Sequence, residues 1–254
     1  LRKEQYRVSD DLTKSCMVAR NMIFGKIFNC RWVLERMLRD HAMRVDAASL
    51  SAASAQLQSQ LEGVRQIDEL DTLRGVEGIA SAAYFGMFDQ LILNQKDVFH
   101  FHGRNRRPPL DRVNAALSMT YTLLAHDCAS ALESVGLDAY VGFMHRDRPG
   151  RTSLALDLME ELRAPLADRF VLTLINTRVL QQKHFKTQAD GAVWLTDDGR
   201  KALLSAWQSR KKEEITHPFL KEKLAWGLVP YVQALLLART LRGDLDGYPP
   251  FLWK

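Results

Sequence analysis

One apolar stripe constrains the fold of this chain more than any other feature. Ile23, Ile27, Cys30, Leu34 and Leu38 recur at spacings of four, three, four and four. That is the period of one face of an α-helix, and it predicts a single helix from residue 11 to about 41. Lys26, Arg31, Arg36 and Arg39 populate much of the remaining surface of that helix. Only 14 Gly and 8 Pro punctuate 254 residues, so turns are few and the other elements should also be long helices.

The rest of the chain follows this pattern. Residues 47–66 repeat the type, with Leu50, Leu57, Leu61 and Val64 on the buried side. Asp71 or Thr72 is expected to cap a short turn before Arg74-Gly75, and residues 76–94 form an unusually apolar helix. Pro108-Pro109 ends a basic loop that begins at His100, and Asp111 is an N-cap for a helix that stops at Gly136. Ser153 is expected to cap a helix through Arg163, and Pro165 to start another to about Thr177. Asp190-Gly191 signals a small hairpin between His184 and Leu195, and Thr196 precedes a helix ending near Lys212. The last helix is expected over 218–242 with a kink at Pro230. The fold class is therefore mainly α, with at most a small β-hairpin, in one domain spanning 1–254.

Composition excludes several classes. Cys16, Cys30 and Cys128 are an odd, scattered set with no C-x-x-C pair, which suits a reducing cytoplasm and not a disulfide scaffold. The most apolar stretch, Ala225 to Ala238, is shorter than the roughly 20 residues of a membrane span. Net charge is +5, which permits a nucleic-acid partner without requiring one. The sequence holds no H-E-x-x-H, no P-loop, no G-x-G-x-x-G and no G-x-S-x-G. Basic clusters stand at Arg104/Arg106/Arg107, Arg146/Arg148/Arg151 and Arg210/Lys211/Lys212, and each alone is more often a solvated surface than a binding site.

Three places depart from an ordinary helical protein. Glu77 is the sole charge between Arg74 and Asp89, in a segment that otherwise reads as core. An unpaired buried carboxylate is costly, so a cation should face it. Asp157, Glu160 and Glu161 fall within about 100° of one another on a helix whose other faces are apolar. Taken alone, such a stripe is a solvated face. His145 follows the apolar run Tyr140 to Met144, and a lone histidine beside a turn is ordinarily structural. Together, two carboxylates and one imidazole make a three-ligand set with open positions, suited to Mg²⁺ or, with the imidazole, Mn²⁺. His100-x-His102 is a competing pair, but Arg104, Arg106 and Arg107 beside it would repel a cation.

Longer motifs extend these positions. Arg74-Gly75-Val76-Glu77-Gly78 with Tyr84-Phe85 resembles the first signature of the CRISPR-associated protein 1 family, the integrase of spacer acquisition. Asn105-Arg106-Arg107-Pro108-Pro109 with Asn114 is similar to its second block. Gly142 to His145, Arg148-Pro149-Gly150-Arg151 and Ser153 to Glu161 are similar to its third, and the details look most like subtype I-C. The resemblance implies a helical catalytic domain with Glu77, His145 and Glu160 as ligands of a catalytic Mg²⁺ or Mn²⁺, and Asp157 as an accessory acid. On this reading the arginines Arg106, Arg107, Arg146, Arg148 and Arg151 hold double-stranded DNA. The family's small N-terminal β domain is expected to be absent, since the chain begins at Leu1. The resemblance further implies a homodimer in the full-length protein, CRISPR-associated protein 2 as partner, and two substrates, spacer precursor and CRISPR repeat. The setting would be a prokaryotic cytoplasm, with no membrane. Two alternatives stay open: a stand-alone structure-specific nuclease, and a non-catalytic DNA-binding module.

Overall fold

The computed structural model describes residues 1–254. Nine α-helices build it: α1 (Arg2–Asp10), α2 (Leu12–His41), α3 (Ala47–Val64), α4 (Leu70–Gly86), α5 (Arg112–Ser134), α6 (Ser153–Leu162), α7 (Arg169–Asn176), α8 (Asp197–Lys212) and α9 (Val229–Leu241). Two antiparallel hairpins accompany them: β1 (Phe185–Thr187) with β2 (Val193–Leu195), and β3 (Glu214–Thr216) with β4 (Lys223–Ala225). Their registers pair Phe185 with Leu195 and Glu214 with Ala225.

Helix α2 is the axis of the fold. Asp11 opens it by accepting the main-chain N–H of Thr13 and Lys14, each at 3.1 Å, which satisfies donors that a helix start leaves free. The predicted stripe is its buried face: Ile23, Ile27 and Leu34 are inaccessible to solvent. Helices α3, α4 and α6 pack around it, and one continuous core of 63 buried residues runs through all the helices. Asp111 caps α5 through Asn114 N at 2.7 Å. Gly136, at φ +85°, ends that segment in the left-handed region as expected.

Several expectations shift. Helix α4 begins at Leu70, so Asp71 lies inside its first turn and is not a cap for a separate turn. Ser153 does not cap α6; Thr152 holds the N-cap position without a side-chain bond. Pro165 does not start a new helix. Arg163–Asp168 is a π-helical segment that joins α6 to α7 without a break, as one wide turn accommodates a proline without a straight α-helical ladder. Residues 214–225 form a second hairpin where the sequence predicts the start of the last helix. Helix α9 begins only at Val229, with Pro230 in its first turn, where a missing N–H costs nothing. No helix is long and apolar enough to cross a membrane.

Candidate metal centre

Helices α2, α4 and α6 meet at three charged side chains. Lys26 on α2 is buried among apolar neighbours, with 5% of its surface exposed. Its ammonium contacts Glu77 Oε1 from α4 and lies 2.7 Å from Glu160 Oε2 on α6. The cation that the isolated Glu77 required is thus supplied by the same protein. Ser81, one turn along α4, donates to Glu77 Oε1 at 2.8 Å. Arg163, at the start of the π segment, pairs with Glu160 Oε1 at 2.8 Å. Burial alone would push Glu160 up, but Arg163, Lys26 and His145 outweigh it and hold the carboxyl at about 2.

The acidic stripe is not solvated: Asp157, Glu160 and Glu161 are all buried, and each faces a different partner. Asp157 accepts the main-chain N–H of Phe143, Met144 and His145 at 2.6, 3.0 and 3.0 Å. It also meets His145 Nδ1 at 2.5 Å. This leaves Nε2 of the imidazole for a ligand. Gly142 permits that wrapping, since a Cβ there would stand 2.8 Å from Asp157 Oδ2. Arg74, one turn before Glu77 on α4, donates to Met144 O at 2.6 Å and so ties the His145 loop to that helix. Glu161 turns the other way. Gln233 and Tyr248 donate to its Oε1 and Phe251 N to its Oε2, so the carboxylate seats the segment 247–253. Burial raises Glu161 to about 7 against those three donors.

Two carboxylates facing one cation are the chemistry that a hard divalent ion takes. Glu160 Oε2 is buried and receives no aligned hydrogen bond, only the nearby ammonium. No three carboxylate, imidazole or thiol side chains close into a ligand shell; Lys26 stands between the two carboxylates instead. Glu77 and Glu160 are brought to one cation, while His145 is not drawn into a three-ligand group with them.

The profile of the family described as CRISPR associated protein Cas1 matches residues 1–209. A relative in Rhodospirillum rubrum, "CRISPR-associated endonuclease Cas1 2", is 54% identical across all of this chain and 74% of its own length. "CRISPR-associated endonuclease Cas1" of Leptospira interrogans is 43% identical over the whole of both chains.

The chain belongs to the CRISPR-associated protein 1 family.

Two solved structures share the fold. A casposase bound to its integration product superposes with TM-score 0.84 at 22% identity, over all of this chain and 72% of that one. A chain of a Cas6-RT-Cas1–Cas2 complex superposes with TM-score 0.83 at 25% identity, over all of this chain and 26% of that one.

In this Cas1 chain the basic loops sort into two groups. Arg106 and Arg107 are exposed and line a groove of about 510 Å³ with Arg104, Tyr121 and Arg163. Burial lowers Arg151, and the guanidinium groups of Arg148, Arg106 and Arg107 lower it further, so these four share one field. Arg146 stands apart, 3.7 Å from Asp71 beside a separate cavity. The third cluster serves the fold: Arg210 lies over Trp226 and pairs with Glu213, while Lys211 pairs with Asp127 at 2.7 Å. His100 and His102 stack with ring centroids 6.3 Å apart, and His102 borders a cavity with Ser81 and Arg104.

Sequence reasoning missed Lys26 and the sandwich of Tyr121 between Arg104 and Arg163, each guanidinium 5.1 Å from the ring. Lys26 carried a signal. It lies three residues after Ile23 and four before Cys30, inside the apolar stripe and not on the polar face assigned to it.

Proposed function

We propose that this Cas1 protein is a metal-dependent DNA endonuclease and integrase that joins the 3′-OH ends of spacer DNA to a CRISPR repeat. The observation that carries this reading is the meeting of buried Glu160 and partly exposed Glu77 at the Lys26 ammonium, beside a groove that Arg163 also lines. Glu77, His145 and Glu160 would hold Mg²⁺ or Mn²⁺. When bound, that ion supplies polarisation of a phosphodiester oxygen and favours the deprotonated form of an attacking 3′-OH or water. The protein's own part is orientation and charge. Asp157 fixes the ring and tautomer of His145, Ser81 and Arg163 orient the two carboxylates, and the arginines Arg106, Arg107, Arg148 and Arg151 grip the DNA backbone without reading sequence. Arg146, beside Asp71, would add a further contact to the backbone. Relatives that are themselves named CRISPR-associated endonucleases support the chemistry. The casposase and the Cas1–Cas2 assembly support DNA and Cas2 as partners.

The finer reading is a subtype I-C protein of the prokaryotic cytoplasm that acts as a homodimer, residues 1–254 being its catalytic domain. The test is an integration assay with a labelled duplex and a repeat-containing plasmid. Glu77→Ala, His145→Ala and Glu160→Ala should each abolish strand transfer while circular dichroism stays native. Wild-type integration by any of the three removes that residue from the ligand set. Cleavage of branched duplex without joining to the repeat would favour a stand-alone nuclease.

A further inference from the structure

We propose that Lys26 is an internal counter-ion of the metal centre, and that its ammonium competes with the divalent ion for the Glu77–Glu160 pair. The inference rests on the metal-site reading above and adds a residue that sets the strength of that site.

Lys26 enters from α2 between Ile23 and Ile27, so its stem is walled by core and its ammonium has one polar destination. That destination is the pair Glu77 Oε1 and Glu160 Oε2. The remaining partners of the two carboxylates come from elsewhere: Ser81 on Glu77 and Arg163 on Glu160 Oε1. Glu160 Oε2 has no partner but Lys26. It is therefore the oxygen that becomes free when the ammonium withdraws, and the one that a divalent ion must take. A divalent ion held by these two carboxylates would need the place that the ammonium now takes. Two cations cannot share that point in a buried site. The four-carbon stem of lysine lets the ammonium move aside, which a rigid guanidinium would do less readily.

This arrangement has two effects. Without metal, Lys26 neutralises buried Glu160 and partly exposed Glu77, which would otherwise repel each other. With metal, the same charge opposes binding. The two effects are one coupling seen from both sides.

The experiment measures Mn²⁺ affinity of the protein, without DNA, by electron paramagnetic resonance, together with melting in EDTA and in saturating Mn²⁺. Lys26→Met keeps the stem and removes the charge. Lys26→Gln keeps a donor toward Glu160 and covers the case in which Met prevents folding. The variant that folds should bind Mn²⁺ at least about tenfold more tightly than wild type. It should also melt lower in EDTA and recover a larger part of its melting temperature on adding Mn²⁺. Unchanged or weaker Mn²⁺ binding in the folded variant, in a protein that still loses Mn²⁺ on Glu160→Gln, overturns the counter-ion role. Mn²⁺ binding that is indifferent to Glu160→Gln overturns the metal-site reading beneath it.

Discussion

His145 Nδ1 lies 2.5 Å from Asp157 Oδ1, and the same carboxylate holds three consecutive main-chain N–H groups of the loop that carries the histidine. Asp157 therefore fixes both the ring and the backbone it hangs from. Asp157→Asn should lower strand transfer by about 10- to 100-fold, the usual cost of losing the carboxylate behind a ligating imidazole. Part of the loss should return at high Mn²⁺. A metal titration of initial rates checks this, and an unchanged rate would detach Asp157 from the site.

Gly142 is the point where this loop passes closest to α6. A Cβ would stand 2.8 Å from Asp157 Oδ2, 2.9 Å from Ser153 Cβ and 3.0 Å from the Ser153 carbonyl carbon. Backbone cannot yield as a flexible chain end does. Gly142→Ala should cost about 1–3 kcal/mol in urea unfolding and reduce activity with it.

Asp168 gives a pH signature. It is buried in the π segment, where Tyr121 donates to its Oδ1 at 2.5 Å. Burial raises its carboxyl to about 6, only partly opposed by Tyr121, Tyr84 and the arginines Arg163 and Arg104. The folded state therefore holds the proton more tightly than the unfolded chain. Stability from this group is greatest below about pH 4 and falls as pH rises toward 6, after which the penalty is complete, on the order of 2–3 kcal/mol. Asp168→Asn keeps an acceptor for Tyr121 and should flatten that part of the curve. Urea midpoints at pH 5 and 7.5 for both proteins measure it.

Glu161 seats the aromatic segment that follows α9. Removing it strands the donors Gln233, Tyr248 and Phe251 N in a buried place. Glu161→Ala should cost more than about 3 kcal/mol, and Tyr248→Phe about 1 kcal/mol. Hydrogen exchange over 248–253 should rise sharply in the first and slightly in the second.

The arginine groups separate in a salt titration. Changing Arg106, Arg107, Arg148 and Arg151 together to Gln should weaken duplex binding across all sequences. It should also reduce the slope of log K against log salt by up to about 0.9 for each phosphate no longer neutralised. Arg146→Gln should act less, because Asp71 already faces that side chain. Fluorescence anisotropy with a labelled duplex reads both.

Where the sequence carried a strong local period, it was legible. The stripe of α2, the Asp111 cap and the Asp190-Gly191 hairpin are all present near their expected limits. What escaped depends on contacts between distant segments. The strands of the 214–225 hairpin are only three residues each and half-exposed, so they leave no period to read. The acidic stripe shows the same limit at the site. Spacing put Asp157, Glu160 and Glu161 on one side of a helix. Their burial and their separate partners come from the 140–145 loop, from α2 and from residues 233–251. Glu77 announced its need for a cation, but its position gave no hint that the cation was Lys26.

Glu160 and Glu161 are adjacent, yet one looks toward Lys26 and the other toward Tyr248. A single peptide unit, a rise of about 1.5 Å along the helix, separates the Lys26–Glu160 pair from the anchorage of residues 247–253. Whatever binds, bends or trims that segment would thus act on the centre through one residue of helix, with no loop between to absorb the strain.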